Sequence, residues 1–326
     1  MDEKMLSPIF IVGAPRSGTT LVTEMLNRHP KIFIFNESLY YDFSLSLNIK
    51  GRLSHKQLIQ MKEHICQRIA VRSNSDKSLR ELFTLFSPQE KEALLEEIRD
   101  GFDEFKIKPY RGSIFQWFMF SAASMKDKQR WGEKTPSHVF YLHQILMDFP
   151  EAKVINMIRD PYDFLLSYKY AWQRGGEKLK KIYHPIITSL LWRKSASAIN
   201  EIEREYGGNV LTIRYEDLVE NSRETFGFVL SFIGEDYVDV NITSLGKNTS
   251  FKNNKSVLDL WEKDICGFIC GKVMKKSGYY RVEPSPFFYL SIIKALLLLP
   301  IWFLNNTLSF FRRYNVHLIR YFTKRI

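Results

Sequence analysis

The stretch PIFIVGAPRSGTTLVTEMLNRH, residues 8–29, decides how this chain folds. Ile9–Val12 are β-branched or aromatic without alternation, which suits a strand covered on both faces, as in a parallel sheet. Gly13 and Gly18 then bracket a short loop, and LVTEMLNRH continues with a helical pattern. Strand, glycine loop and helix in that order make an anion site. The glycines let backbone N–H groups wrap the anion, and the helix N-terminus adds a favourable dipole. The spacing is that of the Walker A loop GxxxxGK[ST], except that Thr19 stands where the lysine belongs. Without that lysine on the β- and γ-phosphates, ATP or GTP hydrolysis is disfavoured. Arg16 supplies another cation, a guanidinium able to fork two oxygens of one anion.

Working outward, KIFIF (31–35), AKVINMI (152–158) and NVLTIRY (209–215) read as further buried strands followed by helices. Between the second and third of the four strands, residues 39–130 carry helical periodicity and mixed charge, with LLEEIRDGFDEF as one part. Strands alternating with helices predict a doubly wound α/β sheet with this stretch inserted as a helical cap. The 326 residues, 45% hydrophobic and 25% charged, exclude wholesale disorder and fit one enlarged domain better than two. Cys66, Cys266 and Cys270 cannot pair off evenly, and a lone C-x3-C lacks the spacing of a zinc site, so a reducing compartment is expected. Polar MDEKMLSP running directly into the first strand does not read as a signal peptide.

A second anion site follows the strand AKVINMI, at Arg159-Asp160-Pro161. Asp160 before Pro161 is a helix start, with an acceptor at the N-cap and a preset φ at the first helical position. Ser167 lies two turns into that helix. In open α/β sheets ligands bind beyond the carboxyl ends of strands. Both Gly13–Thr20 and Arg159 fall there, so a ligand with two separated anionic groups is expected to bridge them.

Together these sites resemble the sulfotransferase family, which uses 3′-phosphoadenosine 5′-phosphosulfate (PAPS) as sulfuryl donor. GAPRSGTTLV resembles the family's 5′-phosphosulfate motif in the PRSGTT form of tyrosylprotein and many bacterial members. MIRDPYDFLLSYKY resembles the 3′-phosphate motif RDPxDxxxSxY, with its arginine and serine at Arg159 and Ser167. RYEDLVENSRETFGFVLSFIG (214–234) resembles the stretch that follows, in which the tyrosine matching Tyr215 lies against the adenine. Trp131–Pro136, WGEKTP, resembles the EKTP segment of carbohydrate and bacterial members. The four motifs stand in family order and cover most of residues 8–280.

The resemblance implies a P-loop-like three-layer α/β sandwich with a central parallel sheet, and a sulfotransferase domain over 1–280. It also implies a transfer that needs no metal. Gly13, Pro15, Arg16, Ser17, Gly18, Thr19 and Thr20 are expected to hold the 5′-phosphosulfate, Arg159 and Ser167 the 3′-phosphate, and Tyr215 the adenine. Arg16 and Lys134 are expected to meet the charge of the transferring group. Glu37, in FIFNES, occupies the place of the glutamate base in tyrosylprotein and heparan-type members; Glu133 and His138 are alternatives. His29 is read as structural, and Asn248–Lys252 and Lys275–Gly278 as weaker donor contacts. Two other classes compete: a nucleotide kinase or NTPase on the same fold, and a non-catalytic membrane-attached nucleotide-binding protein.

The net charge of +11 divides unevenly. Residues 281–326 hold seven Lys/Arg against Glu283, a surplus of +6, while the other 280 residues hold 40 basic and 35 acidic side chains, or +5. A basic excess in an aromatic tail rather than on the body suits a membrane surface, not nucleic acid. FFYLSIIKALLLLPIWFL (287–304) has 15 apolar residues of 18, nearly a bilayer span. Lys294 near its middle, costing roughly 3 kcal/mol, and Pro300 both oppose spanning. So does the basic end, which spanning would carry away from a cytoplasmic body. Beyond it, Leu308, Phe311, Leu318 and Phe322 can share an apolar stripe, with Arg312, Arg313, Arg320, Lys324 and Arg325 elsewhere. The tail, 281–326, is therefore expected to lie on or re-enter the inner face of a membrane, with packing on its own body or a partner as the alternative. The acceptor is expected to be a hydroxylated small molecule, glycan or lipid.

Overall fold

Strand β1 (Ile9–Gly13) is buried along its whole length because a strand flanks it on each side and helices cover both its faces. The computed structural model describes residues 7–49, 51–71, 86–103, 108–171, 173, 176–240 and 257–314. With β2 (Ile32–Asn36), β3 (Arg130–Lys134), β4 (Lys153–Ile158) and β5 (Val210–Arg214), β1 forms a parallel sheet in the order β2-β3-β1-β4-β5. Ile11 lies opposite Lys134 on one side and Ile155 on the other, so the carboxyl ends of the central strands form one edge.

The alternation of side chains along each strand divides the core into two layers. Phe10, Val12, Phe33 and Phe35 face the insertion, built from α2 (Tyr40–Ser46), α3 (His55–Val71), α4 (Pro88–Asp103) and α5 (Arg111–Ser124). Ile9, Ile11, Ile32 and Ile34 face the opposite layer, where α1 (Thr19–Asn27) contributes Val22, Met25 and Leu26. Each fully buried side chain of this size contributes about 1.5–3 kcal/mol. The helices α6 (Leu142–Asp148), α7 (Pro161–Lys169), α8 (Pro185–Tyr206), α9 (Tyr215–Glu220), α10 (Ser222–Ile233) and α11 (Leu260–Lys276) complete the layers. The expected three-layer sandwich with a helical insertion is therefore the observed fold.

One strand escaped the sequence reading. Arg130–Lys134, RWGEK, is β3, so AKVINMI is the fourth strand and not the third. Three charged residues of five hide the strand signal, yet the segment is buried throughout. Its charges persist there because each is matched. Arg130 Nη1 donates to Ile233 O at 2.5 Å and to Glu235 Oε1 at 3.0 Å, and its Nε donates to Ser7 O at 3.0 Å. A buried arginine without such partners would cost several kcal/mol.

Helix α12 (Phe288–Tyr314) lies along the body. Ser291, Ala295, Trp302 and Asn306, spaced on one face, are buried against it. Ser291 Oγ donates to Asp264 Oδ2 at 2.6 Å, Trp302 Nε1 to Ile182 O at 2.9 Å and Asn306 Nδ2 to Lys181 O at 2.5 Å. Tyr289, Leu290, Ile293, Leu297 and Leu304 are exposed on the other side. Phe288–Asn306 is long and apolar enough to cross a membrane by length and composition. Residues 315–326, with Leu318, Arg320, Phe322, Lys324 and Arg325, lie outside the described residues, as do Asn248–Lys252 and the side chains of Leu308, Phe311, Arg312 and Arg313.

Candidate active site

The loop after β1 is shaped by backbone that only glycine accepts easily. Gly13 has φ 139°, and a Cβ there would overlap the Met157 carbonyl of neighbouring β4. Gly18, at φ 97°, is the N-cap of α1, and a Cβ there would strike the ring of Tyr215. Between them Arg16 is also left-handed, at φ 78°, and Ser17 N donates to Ala14 O at 3.1 Å. Thr19 and Thr20 begin α1, where backbone N–H groups have no partner within the helix. Ser17 Oγ is buried with no hydrogen-bond partner among the described residues.

The second motif arrives on β4 and α7. Asp160 Oδ1 caps α7 by accepting from Tyr162 N at 2.8 Å and Asp163 N at 3.2 Å, as its place before Pro161 predicts. Trp192 Nε1 donates to Arg159 O at 2.8 Å, which holds the end of β4. The Arg159 guanidinium lies 4.6 Å above the Tyr215 ring, and its Nε is buried without a hydrogen-bond partner among the described residues. Arg16 Nε donates to Ser167 Oγ at 3.2 Å, so the two predicted anion sites meet. Glu216, which the sequence reading passed over, ties them further. Its Oε1 accepts from Asp160 N at 2.9 Å and its Oε2 from Tyr279 OH at 2.9 Å. The nearby Gly278 has φ 75° and approaches Arg214 rather than the loop.

Glu37 and Lys134 are brought together across the ends of β2 and β3. Lys134 Nζ lies 3.2 Å from Glu37 Oε1, with the two side chains 1% and 37% exposed. The lysine is thus a buried cation and the carboxylate reaches solvent. Glu24, one turn beyond Thr20 on α1, is a second acid near this cation. Burial pushes its carboxyl up, against the opposing pull of Arg28 and Lys134. Its spacing of four from Thr20 was the only sequence signal for it.

Glu133 and His138 are placed elsewhere, in the interior beneath the Glu37 turn. Glu133 is 0% exposed. Its Oε1 accepts from Ser38 N at 3.0 Å, from Ser38 Oγ at 2.9 Å and from Thr135 Oγ1. Its Oε2 lies 2.9 Å from His138 Nδ1, and His138 Nε2 lies 3.3 Å from Asp42 Oδ2. Burial alone would lower the imidazole, but the flanking Glu133 and Asp42 carboxylates outweigh it and hold His138 up to about 9. His29 is structural, with Lys31 N donating to its Nδ1 at 3.3 Å. On α3, His64 and Arg68 form an i, i+4 pair that the sequence reading missed. Arg68 donates to Glu37 O through Nε at 3.1 Å and Nη2 at 2.5 Å.

Residues 8–239 match the family described as the sulfotransferase family. The omega-hydroxy-beta-dihydromenaquinone-9 sulfotransferase of Mycobacterium bovis is 24% identical over 311 residues, covering 86% of this chain and 77% of that protein. The protein of the same name from Mycobacterium tuberculosis aligns with the same identity and coverage. Among solved structures, the sulfotransferase domain from the curacin biosynthetic pathway shares the fold, with TM-score 0.50 and 16% identity over 85% of this chain and 99% of that one.

His64 yields a pH test. Its Nε2 lies 3.0 Å from Ser38 O, which can only accept, so that nitrogen carries a proton. Burial, aided by Arg68, pushes the ring down to about 4, against the pull of Ser38 O and Asp42. The unfolded chain takes up a second proton from pH 6.5 downward, and the folded chain does not until about 4. Stability from this group is therefore full above 6.5 and lost as pH falls toward 4, by about 3 kcal/mol. Urea unfolding across pH 7 to 4 should show that loss in the wild type minus His64→Gln difference. A difference that stays constant with pH would refute the neutral, buried assignment.

Proposed function

The chain belongs to the sulfotransferase family, and on that premise we propose how its residues move a sulfuryl group from PAPS to an acceptor hydroxyl. The transfer is an in-line displacement through a loose transition state, so positioning and charge stabilisation carry most of the catalysis. Gly13, Pro15, Arg16, Ser17, Gly18, Thr19 and Thr20 receive the 5′-phosphosulfate. Arg159 and Ser167 receive the 3′-phosphate, which ATP lacks, and the Tyr215 ring takes the adenine. The observation that carries this reading is the contact between the two anion motifs, Arg16 Nε to Ser167 Oγ at 3.2 Å. The fit of an anionic guest is supported by Ser17 Oγ and Arg159 Nε, polar atoms withdrawn from water without a hydrogen-bond partner among the described residues.

Glu37 takes the proton of the acceptor hydroxyl while its oxygen bonds sulfur and the bond from sulfur to the 5′-phosphate oxygen breaks. Adenosine 3′,5′-bisphosphate departs with the electron pair. Lys134 holds the Glu37 carboxylate in place and presents a cation beside the transferring sulfonate. No metal enters this division of roles. A non-catalytic scaffold has no comparable use for a part-exposed acid beside a buried lysine.

The acceptor in this reading is a hydroxyl on a lipid or lipid-linked metabolite, the class named for the mycobacterial relatives. Residues 1–280 form the catalytic domain and 281–326 a tail that holds it to the inner face of a membrane. Two features support a surface position over a span. Ser291 and Asn306 anchor both ends of the apolar segment to the body, and the opposite face presents Leu290, Ile293, Leu297 and Leu304. The tail's surplus of +6 complements anionic lipid.

Adenosine 3′,5′-bisphosphate should raise the melting temperature more than ATP or AMP does, and Arg159→Ala should abolish that preference. A preference for ATP would overturn the donor assignment. Glu37→Gln should cut transfer from radiolabelled PAPS to an omega-hydroxylated isoprenoid quinone by about 10²–10⁴-fold. Its bisphosphate-induced thermal shift should stay at the wild-type value. In flotation assays the full chain should rise with phosphatidylglycerol vesicles, and Leu290→Lys with Leu297→Lys should weaken that. A full chain left at the bottom of the gradient would remove the membrane reading.

A further inference from the structure

The turn Glu37-Ser38-Leu39 has an unfavourable backbone. Glu37 (φ 54°) and Leu39 (φ 52°) are both non-glycine residues in the left-handed region, a conformation that persists only when its surroundings over-determine it. Here they do. Glu37 N donates to Lys134 O at 2.5 Å, and Glu37 O accepts from Arg68. Ser38 O faces His64 Nε2 at 3.0 Å, and Leu39 N donates to Thr135 Oγ1 at 3.3 Å. Ser38 N and Ser38 Oγ both donate to the same oxygen of Glu133.

That oxygen is the central contact, because Glu133 is itself held from behind. His138 stands between its other oxygen and Asp42, and Ser137 Oγ donates to both Asp42 oxygens at 3.1 Å. Three groups that could titrate, from β3, the 3-10 turn Pro136–Phe140 and α2, are thus joined in the interior. A buried carboxylate costs least when it is paired and hydrogen-bonded, and here the pairing with His138 leaves the other oxygen to hold the Ser38 turn.

We infer that the buried line Asp42–His138–Glu133–Ser38 is a positioning unit that sets the Glu37 carboxylate against Lys134 and the acceptor hydroxyl. Glu133 and His138 act through Ser38 and not as alternative bases. Their burial keeps them from a substrate, while the hydrogen bonds of Glu133, which His138 contacts at 2.9 Å, end on the residue next to Glu37. This rests on Glu37 being the base.

The test compares Glu37→Gln, Ser38→Ala, Ser38→Thr and Glu133→Gln. The readouts are kcat and KM with PAPS and an omega-hydroxylated quinone, and the thermal shift induced by adenosine 3′,5′-bisphosphate. Ser38→Ala and Glu133→Gln should each lower kcat at least tenfold. KM for PAPS and the bisphosphate shift should stay at wild-type values, and Ser38→Thr should recover most of the rate. If Glu133→Gln does not fold, the Ser38 pair decides alone. Two outcomes overturn the inference while leaving Glu37 as base. One is kcat within twofold of wild type in Ser38→Ala while Glu37→Gln is inactive. The other is a fall in kcat accompanied by loss of the bisphosphate shift, which marks a general structural role. Retained transfer in Glu37→Gln would remove the base assignment and the inference together.

Discussion

The pairing of β1 between β3 and β4 is the constraint on which the rest of the structure depends. A strand buried on both faces and both edges has no freedom in register, since a shift by one residue would turn Phe10 and Val12 into the layer that holds Ile9 and Ile11. Once register is set, Gly13 lies beside Met157 and Ile11 beside Lys134. The glycine loop, the buried lysine and Arg159 then emerge from adjacent strand ends. Sequence separations of more than a hundred residues collapse into one edge of one sheet.

The sheet concentrates charge in the interior at both of its ends, Arg130 at the amino end of β3 and Lys134 at its carboxyl end. Lys134, Arg130, Glu133 and His138 are all buried, and each has an opposite charge within about hydrogen-bonding range. Such pairs give little net stability compared with apolar residues of the same size. Their value is orientation: a buried ion with one partner has few alternative positions. The site therefore combines a solvent-reaching carboxylate, Glu37, with a fully enclosed support. Glu216 plays the same part for the donor side, joining the starts of α7 and α9 to Tyr279.

The tail departs from a simple amphipathic helix in one respect. Its inward stripe is Ser291, Ala295, Trp302 and Asn306, only one of them large and apolar, while the large aliphatic side chains face outward. Burial of apolar surface against the body therefore does not explain the composition of α12. Hydrogen bonds to Asp264, Ile182 and Lys181 fix its direction and leave the apolar face exposed.

Local chemistry made much of this legible in the chain. Gly13 and Gly18 flanking PRS, the Asp160–Pro161 helix start and four apolar strands follow from backbone sterics and periodicity, which act over a few residues. They were enough to mark Gly13–Thr20 and Arg159 as candidate anion motifs and to give the α/β class. The strand RWGEK was not legible, because charged residues argue against a strand until their partners, Glu235 on another element among them, are in place. Nor could spacing show that Glu37 reaches solvent while Glu133 is enclosed. By itself the sequence determined the glycine loop between β1 and α1, the fold class and the charge of the tail. Only the tertiary structure decided which acid reaches solvent and which is enclosed, because burial and the long-range pairing of charges are properties of segments that meet in space.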